Sequence, residues 1–123
     1  MTTVIFSHGQ ESGPWGTKIR AMAEQAKALG CEVDSIDYQG IADPTERVAK
    51  LVKECAEIKG KIVLVGSSMG GHVATAAADD LDAVGLFVLA PAYYMEGYED
   101  LTPVPPKMPI CIVHGWHDDI VPV

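Results

Sequence analysis

KIVLVGSSMGGHVATAAAD, residues 61–79, decides the reading of this chain. KIVLV (61–65) is a short β-branched apolar run, as a strand buried on both faces requires. HVATAAAD (72–79) reads as a helix of small residues able to pack very close to a sheet. Between them GSSMGG (66–71) must turn the chain sharply, lifting Ser68 to the end of the strand. Gly66-Ser67-Ser68-Met69-Gly70 has the spacing G-x-S-x-G. Glycines two before and two after the serine let neighbouring backbone pass closely through a strained strand-to-helix corner. The helix that follows aims its N-terminus at Ser68 and favours negative charge forming there. A plain Gly/Ser-rich βα corner, or a phosphate-binding loop, would use the same residue types, so the rest of the chain has to decide.

Outward from that corner, short apolar runs alternate with amphipathic ones. TVIFS (3–7) is a continuous buried strand. Residues 17–29 carry Ile19, Met22, Ala23, Ala26 and Leu29 at helical spacing, and Gly30 ends the helix. CEVDSID (31–37) is a weaker, alternating strand suited to a sheet edge. Asp43-Pro44-Thr45-Glu46 supplies an N-cap, a proline at the first helical position and a capping-box acid. Val48, Leu51, Val52, Cys55 and Ile58 form that helix's apolar stripe, which Gly60 stops. AVGLFVLA (83–90) and PICIVHG (109–115) are the last strands, and residues 91–109, Pro-rich with three tyrosines, read as an excursion over the end of the sheet.

Strands separated by helices predict an α/β fold: a doubly wound, mostly parallel sheet of about five strands with right-handed crossovers, in one domain over 1–123. The simplest order, 2-1-3-4-5, puts strands one and three side by side at the topological switch point. The loops SHGQESGP (7–14) and GSSMGG would then meet in the crevice where such sheets bind ligands.

Composition narrows the function. Hydrophobic residues are 48% and charged residues 21%, which suits a packed core. The net charge of −8, with Lys and Arg scattered singly, leaves no basic stripe for phosphates, so nucleic acid is not an expected partner. MTTVIFSHG has no basic leader region, and AVGLFVLAPA is too short to span a bilayer, so no membrane role is expected. Cys31, Cys55 and Cys111 are odd in number, form no CxxC and fall at or near apolar positions, so each is expected to be a buried free thiol in a cytoplasmic protein. No cofactor or metal is expected: Gly66 to Gly71 lacks the lysine of a P-loop, no GxGxxG follows the first strand, and no metal-ligand cluster is visible.

Acyl transfer by a serine needs two preorganised N–H donors for the oxyanion. The backbone N–H of Met69 is one candidate and that of Gln10, after the His8-Gly9 pair, is the other. His8 is then expected to brace the loop. In IVHGWHDDIVP (112–122) a strand runs into His114-Gly115, followed by Asp118, placed to orient a histidinium as the acid of a triad does. Asp118 is preferred over Asp119 because it stands three residues after Gly115.

With these three pieces in this order the chain resembles the α/β-hydrolase superfamily. SHGQESGP is similar to its oxyanion loop, GSSMGG to its nucleophile elbow and HGWHDDIVP to its acid loop, HGxxDxxVP. The resemblance covers nearly the whole chain and is greatest to small, cap-less bacterial esterase-like members. It implies Ser68 as nucleophile, Asp118 as acid, and Gln10 and Met69 as oxyanion donors. Trp15, Tyr93 and Tyr94 are expected to line the site for a small-molecule ester or acyl substrate.

One component is missing. The family's catalytic histidine follows the acid, whereas His8, His72, His114 and His117 all precede Asp118. His72 lies too far along the helix, and His117 would need an unusual loop to reach Ser68. The resemblance therefore implies a hydrolase core that is C-terminally incomplete, with impaired turnover. Truncation, a histidine from a partner chain, and a non-catalytic pseudoenzyme that binds ligands or assembles are the three accounts. An open edge along strand 110–113 would be available to a second copy or a partner chain.

Overall fold

A computed structural model describes residues 2–9 and 13–89 and the backbone of 110–113. The elements run β1 (Thr2–Ser7), α1 (Thr17–Ala28), β2 (Glu32–Ile36), α2 (Pro44–Cys55), β3 (Lys61–Ser67), α3 (Met69–Ala77), β4 (Gly85–Leu89) and β5 (Ile110–Val113). All pairings are parallel, in the order β2-β1-β3-β4-β5. This is the order expected from the alternating pattern, with β1 and β3 adjacent at the switch point. Among the described residues β5 pairs only with β4.

The sheet is covered on both faces. Alternate strand residues Val4, Phe6 and Val65 pack with Ile19 and Ala23 of α1. Their neighbours Ile5, Ile62, Leu64, Leu86 and Val88 pack on the other face with Leu51 and Cys55 of α2 and Val73, Ala74 and Ala77 of α3. The period of two along each strand thus sorts its side chains into two cores.

Helix ends follow local chemistry. Gly30 adopts φ 85° and its N–H donates to the Lys27 carbonyl, closing α1. Asp43 caps α2 by accepting from the Thr45 N–H at 3.0 Å, with Pro44 at the first position. Two boundaries differ from expectation. α2 stops at Cys55, short of Gly60, because its last turn tightens: the Ile58 N–H donates to the Cys55 carbonyl at 3.1 Å. α3 starts at Met69, directly after Ser68, three residues earlier than the sequence suggested. Cys55 is buried, but Cys31 is only half-buried because it precedes β2 at the end of α1.

α3 lies against the sheet because it carries almost nothing. Met69 through Thr75 are all buried. A Cβ on Gly70 would overlap the carbonyl of Ser7 at the end of β1 and stand 2.7 Å from the His8 carbonyl oxygen. A Cβ on Gly66 would overlap the Gly70 carbonyl and stand 2.7 Å from the Gly71 Cα. The clashing atoms are backbone, so they cannot swing aside.

Gly70→Ala is therefore expected to cost at least about 3 kcal/mol in urea unfolding, since backbone must shift to admit the methyl. Gly85→Ala, whose Cβ among the described residues would meet the two Val63 methyls at 3.9 and 4.0 Å, should stay within about 0.5 kcal/mol of the parent.

Candidate active site

At the end of β3 the chain enters α3 through Ser68, with φ 55° and ψ −119°. Side chains other than glycine's rarely occupy this region, and holding one there costs on the order of 1–3 kcal/mol. Its surroundings enforce it. The Ser68 N–H donates to the Leu89 carbonyl of β4 at 2.9 Å, and the Ser68 carbonyl accepts from Gly71 at 3.0 Å. Ser68 is half-buried, at the carboxyl end of the sheet. Met69 is the first residue of α3, so its N–H has no carbonyl one turn earlier within the helix, while its side chain is in the core.

The Gly70 approach brings the Ser7-His8 end of β1 against this corner. His8 is completely buried. Its Nε2 accepts from the Tyr38 N–H at 2.8 Å, and its Nδ1 lies 2.7 Å from the Gly9 carbonyl oxygen. The first contact needs a lone pair on Nε2 and the second a proton on Nδ1, so one neutral tautomer satisfies both. Burial is the main force lowering the His8 pKa below 6.5, and the Arg47 charge adds to it. Asp37 lies 3.9 Å from Nε2, but that nitrogen is already an acceptor, so the two do not form an ion pair. His8 is a brace, as the sequence suggested, and its ring has no free nitrogen with which to act as a base.

Tyr38 and Arg47 complete the brace. The Tyr38 hydroxyl is 2.9 Å from the Ser7 Oγ, and burial pushes its pKa up. Arg47, also buried, reaches back from α2 to donate to carbonyls of the β1 loop and of the segment after β2. Sequence reasoning missed both residues. The signal for Arg47 was its place on the α2 stripe, one turn before Leu51 and two before Cys55, all three buried.

Of the residues singled out in the sequence, the structure brings Ser68 and Met69 to the crevice at the switch point. Trp15 lies in the turn before α1 and is 40% exposed. Its neighbours Gly13 and Gly16, with Gly9, Ile19 and Ser67, help line a cavity of about 280 Å³ beside the corner. Gln10, Tyr93, Tyr94 and Asp118 lie outside the described residues. β5 ends at Val113 opposite Leu89, so the chain leaves it at the same end of the sheet as Ser68. His72 is buried on α3. Among the described residues no group of His, Cys, Asp or Glu is disposed to hold a metal, and no helix is long and apolar enough to cross a membrane.

A model of the alpha/beta hydrolase family matches residues 4–122. The bovine (Bos taurus) mitochondrial palmitoyl-protein thioesterase ABHD10 is 26% identical, across 97% of this chain and 58% of its own length. That alignment runs over 178 positions, more than the 123 residues of this chain, so the relative carries residues inside the matched region that this chain does not. The chain spans under two thirds of the curated relatives it matches. A protein from Xanthomonas campestris assigned to the hydrolases of the alpha/beta superfamily superposes with a TM-score of 0.86 at 32% identity, over 98% of this chain and 75% of that one. A second X. campestris protein, described as an α/β serine hydrolase without a lid, gives 0.73 at 25% identity, over 98% and 61%.

The His8 geometry has a pH consequence. The folded chain holds His8 neutral, whereas the unfolded chain takes up a proton near the ordinary value of 6.5. Its contribution to stability is therefore full above that value and declines as the pH falls below it. Urea titrations at about pH 8 and about pH 5 should show a larger loss for the parent than for His8→Gln. Equal losses would mean that His8 is not held neutral in the fold.

Proposed function

The chain belongs to the alpha/beta hydrolase family, and on that premise we propose that it is a serine hydrolase core for a small ester or related acyl substrate. The observation that carries this reading is Ser68 itself, held at φ 55° between a buried strand and a helix N-terminus. A glycine would be less strained at this φ. Ser68 Oγ attacks the acyl carbon, and the oxyanion rests on the N–H groups of Met69 and Gln10. The carbon–oxygen or carbon–sulfur bond to the leaving group then breaks, the leaving group takes the proton given up by Ser68, and water releases the acyl chain. The bovine relative's name, palmitoyl-protein thioesterase, widens the class of leaving group to thiols. Trp15, Tyr93 and Tyr94 line the substrate side in this reading.

Asp118 orients a histidine that is none of the four in this chain. His8 is committed on both nitrogens, and His72 is buried on α3. Hydrolytic turnover by these 123 residues is accordingly weak, and the serine keeps oxyanion stabilisation without efficient deprotonation. The free thiols Cys31 and Cys55 suit the reducing cytoplasm we assign, and burial pushes the Cys55 thiol up to about 11, where it is unreactive.

A fluorophosphonate probe tests the reading. The folded chain should label at Ser68, slowly for want of a base but to completion over a long incubation, and Ser68→Ala should abolish the label. A well-folded chain that takes up no probe contradicts it, and favours a binding or assembly module that pairs along Ile110–Val113.

A further inference from the structure

The segment after β2 is fastened to the end of β1 by a hydrogen bond whose acceptor can take up a proton. His8 Nε2 accepts from the Tyr38 N–H at 2.8 Å, and both residues are completely buried. The same segment is tied on either side. Asp37 Oδ1 accepts from the Gln39 N–H at 2.9 Å, and Lys50 of α2 donates to the Asp37 carbonyl. The Gln39 side chain lies against Gly13, where a Cβ would stand 3.3 Å from its Nε2. Gly13 and His8 both line the cavity of about 280 Å³ beside the Ser68 corner. The backbone from Asp37 to Gln39 therefore connects the His8 ring to one wall of that cavity.

We propose that His8 and Asp37 form an acid-operated latch: on taking up a proton the His8 ring lets go of the Tyr38 N–H and pairs with the Asp37 carboxylate, freeing the backbone at Tyr38 and Gln39. In the neutral ring Nδ1–H faces the Gly9 carbonyl at 2.7 Å and Nε2 offers its lone pair to Tyr38. An imidazolium has two N–H donors and no lone pair, so Nε2–H would stand against the Tyr38 N–H, donor to donor. Nδ1 keeps its acceptor, and the conflict falls on Nε2 alone. Asp37 Oδ1 lies 3.9 Å from Nε2 on a side chain that is 56% exposed, so it can swing to close that distance. Doing so moves the acceptor of the Gln39 N–H as well. A buried N–H without an acceptor is costly, so Tyr38 backbone turns toward water. Among the described residues, Arg47 and Lys50 on α2 oppose the imidazolium and Asp37 favours it, while Lys18 at the start of α1 lines the same cavity. The Tyr38 ring lies 5.3 Å from the His8 ring, and burial keeps its phenol neutral. α3 meets the His8 carbonyl through Gly70 and carries His72 as its one titratable side chain between Met69 and Ala77. Burial, with Arg47 adding to it, places the protonation of His8 below pH 6.5. The latch is thus closed at neutral pH and opens as the pH falls through the His8 value.

Amide hydrogen exchange of the full chain, followed by NMR from about pH 7.5 to about pH 4.5 and corrected for the intrinsic rate, reads the latch at Tyr38 itself. Protection at Tyr38, taken relative to Leu64 in the middle of β3, should fall at least about tenfold over this range. The midpoint should match the protonation of the His8 ring, followed by its imidazole nitrogen shifts. Taking the ratio to Leu64 removes any loss shared with the whole fold. His8→Gln does not titrate and should give a ratio independent of pH. Asp37→Asn keeps an acceptor for Gln39 but removes the carboxylate, and should move the midpoint to a proton concentration at least about threefold higher. If His8→Gln does not fold, Asp37→Asn decides alone. A ratio that stays constant in the parent, a fall that persists in His8→Gln, or an Asp37→Asn midpoint at or above the parental pH overturns the proposal. Labelling of Ser68 plays no part in this readout, so its failure leaves the hydrolase reading standing.

Discussion

The close approach of Gly70 to the end of β1 is the constraint on which the site depends. It seats α3 on the sheet with no side chain at the contact, and it presses the Ser7-His8 backbone against the corner that carries Ser68. Gly66 does the same on the other side of the serine, where the Gly70 carbonyl occupies the space a Cβ would need. The two glycines of G-x-S-x-G therefore act as a pair. Between them Ser68 is held at φ 55°, and its N–H is committed to Leu89.

Around this rigid corner the polar interior is arranged to hold a loop rather than to strengthen the core. His8, Tyr38 and Arg47 are all buried, and their hydrogen bonds described above run mainly to backbone of the segments after β1 and β2. Buried polar groups of this kind contribute little net stability compared with apolar packing, but they fix a geometry. The neutral tautomer of His8 and the fork of Arg47 converge on the same carbonyl, that of Gly9.

Much of this was legible in the sequence, for physical reasons that differ by residue. The apolar runs at 3–7 and 61–65 announce buried parallel strands and the helical spacing after each implies crossovers; these do not fix the order, but the simplest doubly wound arrangement of them is the one observed. GSSMGG was legible because its glycines have a steric purpose that spacing reveals. Arg47 was not, because charge at one position of an amphipathic helix normally marks the solvated face, and only the tertiary contact with carbonyls of two distant loops makes it an interior residue. Tyr38 was hidden for the same reason: it stands beyond the end of β2, where neither strand nor helix periodicity applies. The α2 stripe was read as Val48, Leu51, Val52, Cys55 and Ile58. In the structure the fully buried edge is Pro44, Arg47, Leu51 and Cys55, with Val48, Val52 and Ile58 half-buried beside it.

If the strain at Ser68 is the cost of presenting a nucleophile, removing the need for it should release stability. Unfolding free energies of Ser68→Gly and Ser68→Ala compare directly, since both lack the hydroxyl and only glycine is at ease at φ 55°. Ser68→Gly should be more stable than Ser68→Ala by about 1 kcal/mol or more, even though glycine loses more chain entropy on folding. Equal stability, or a less stable glycine variant, would contradict a serine held under backbone strain.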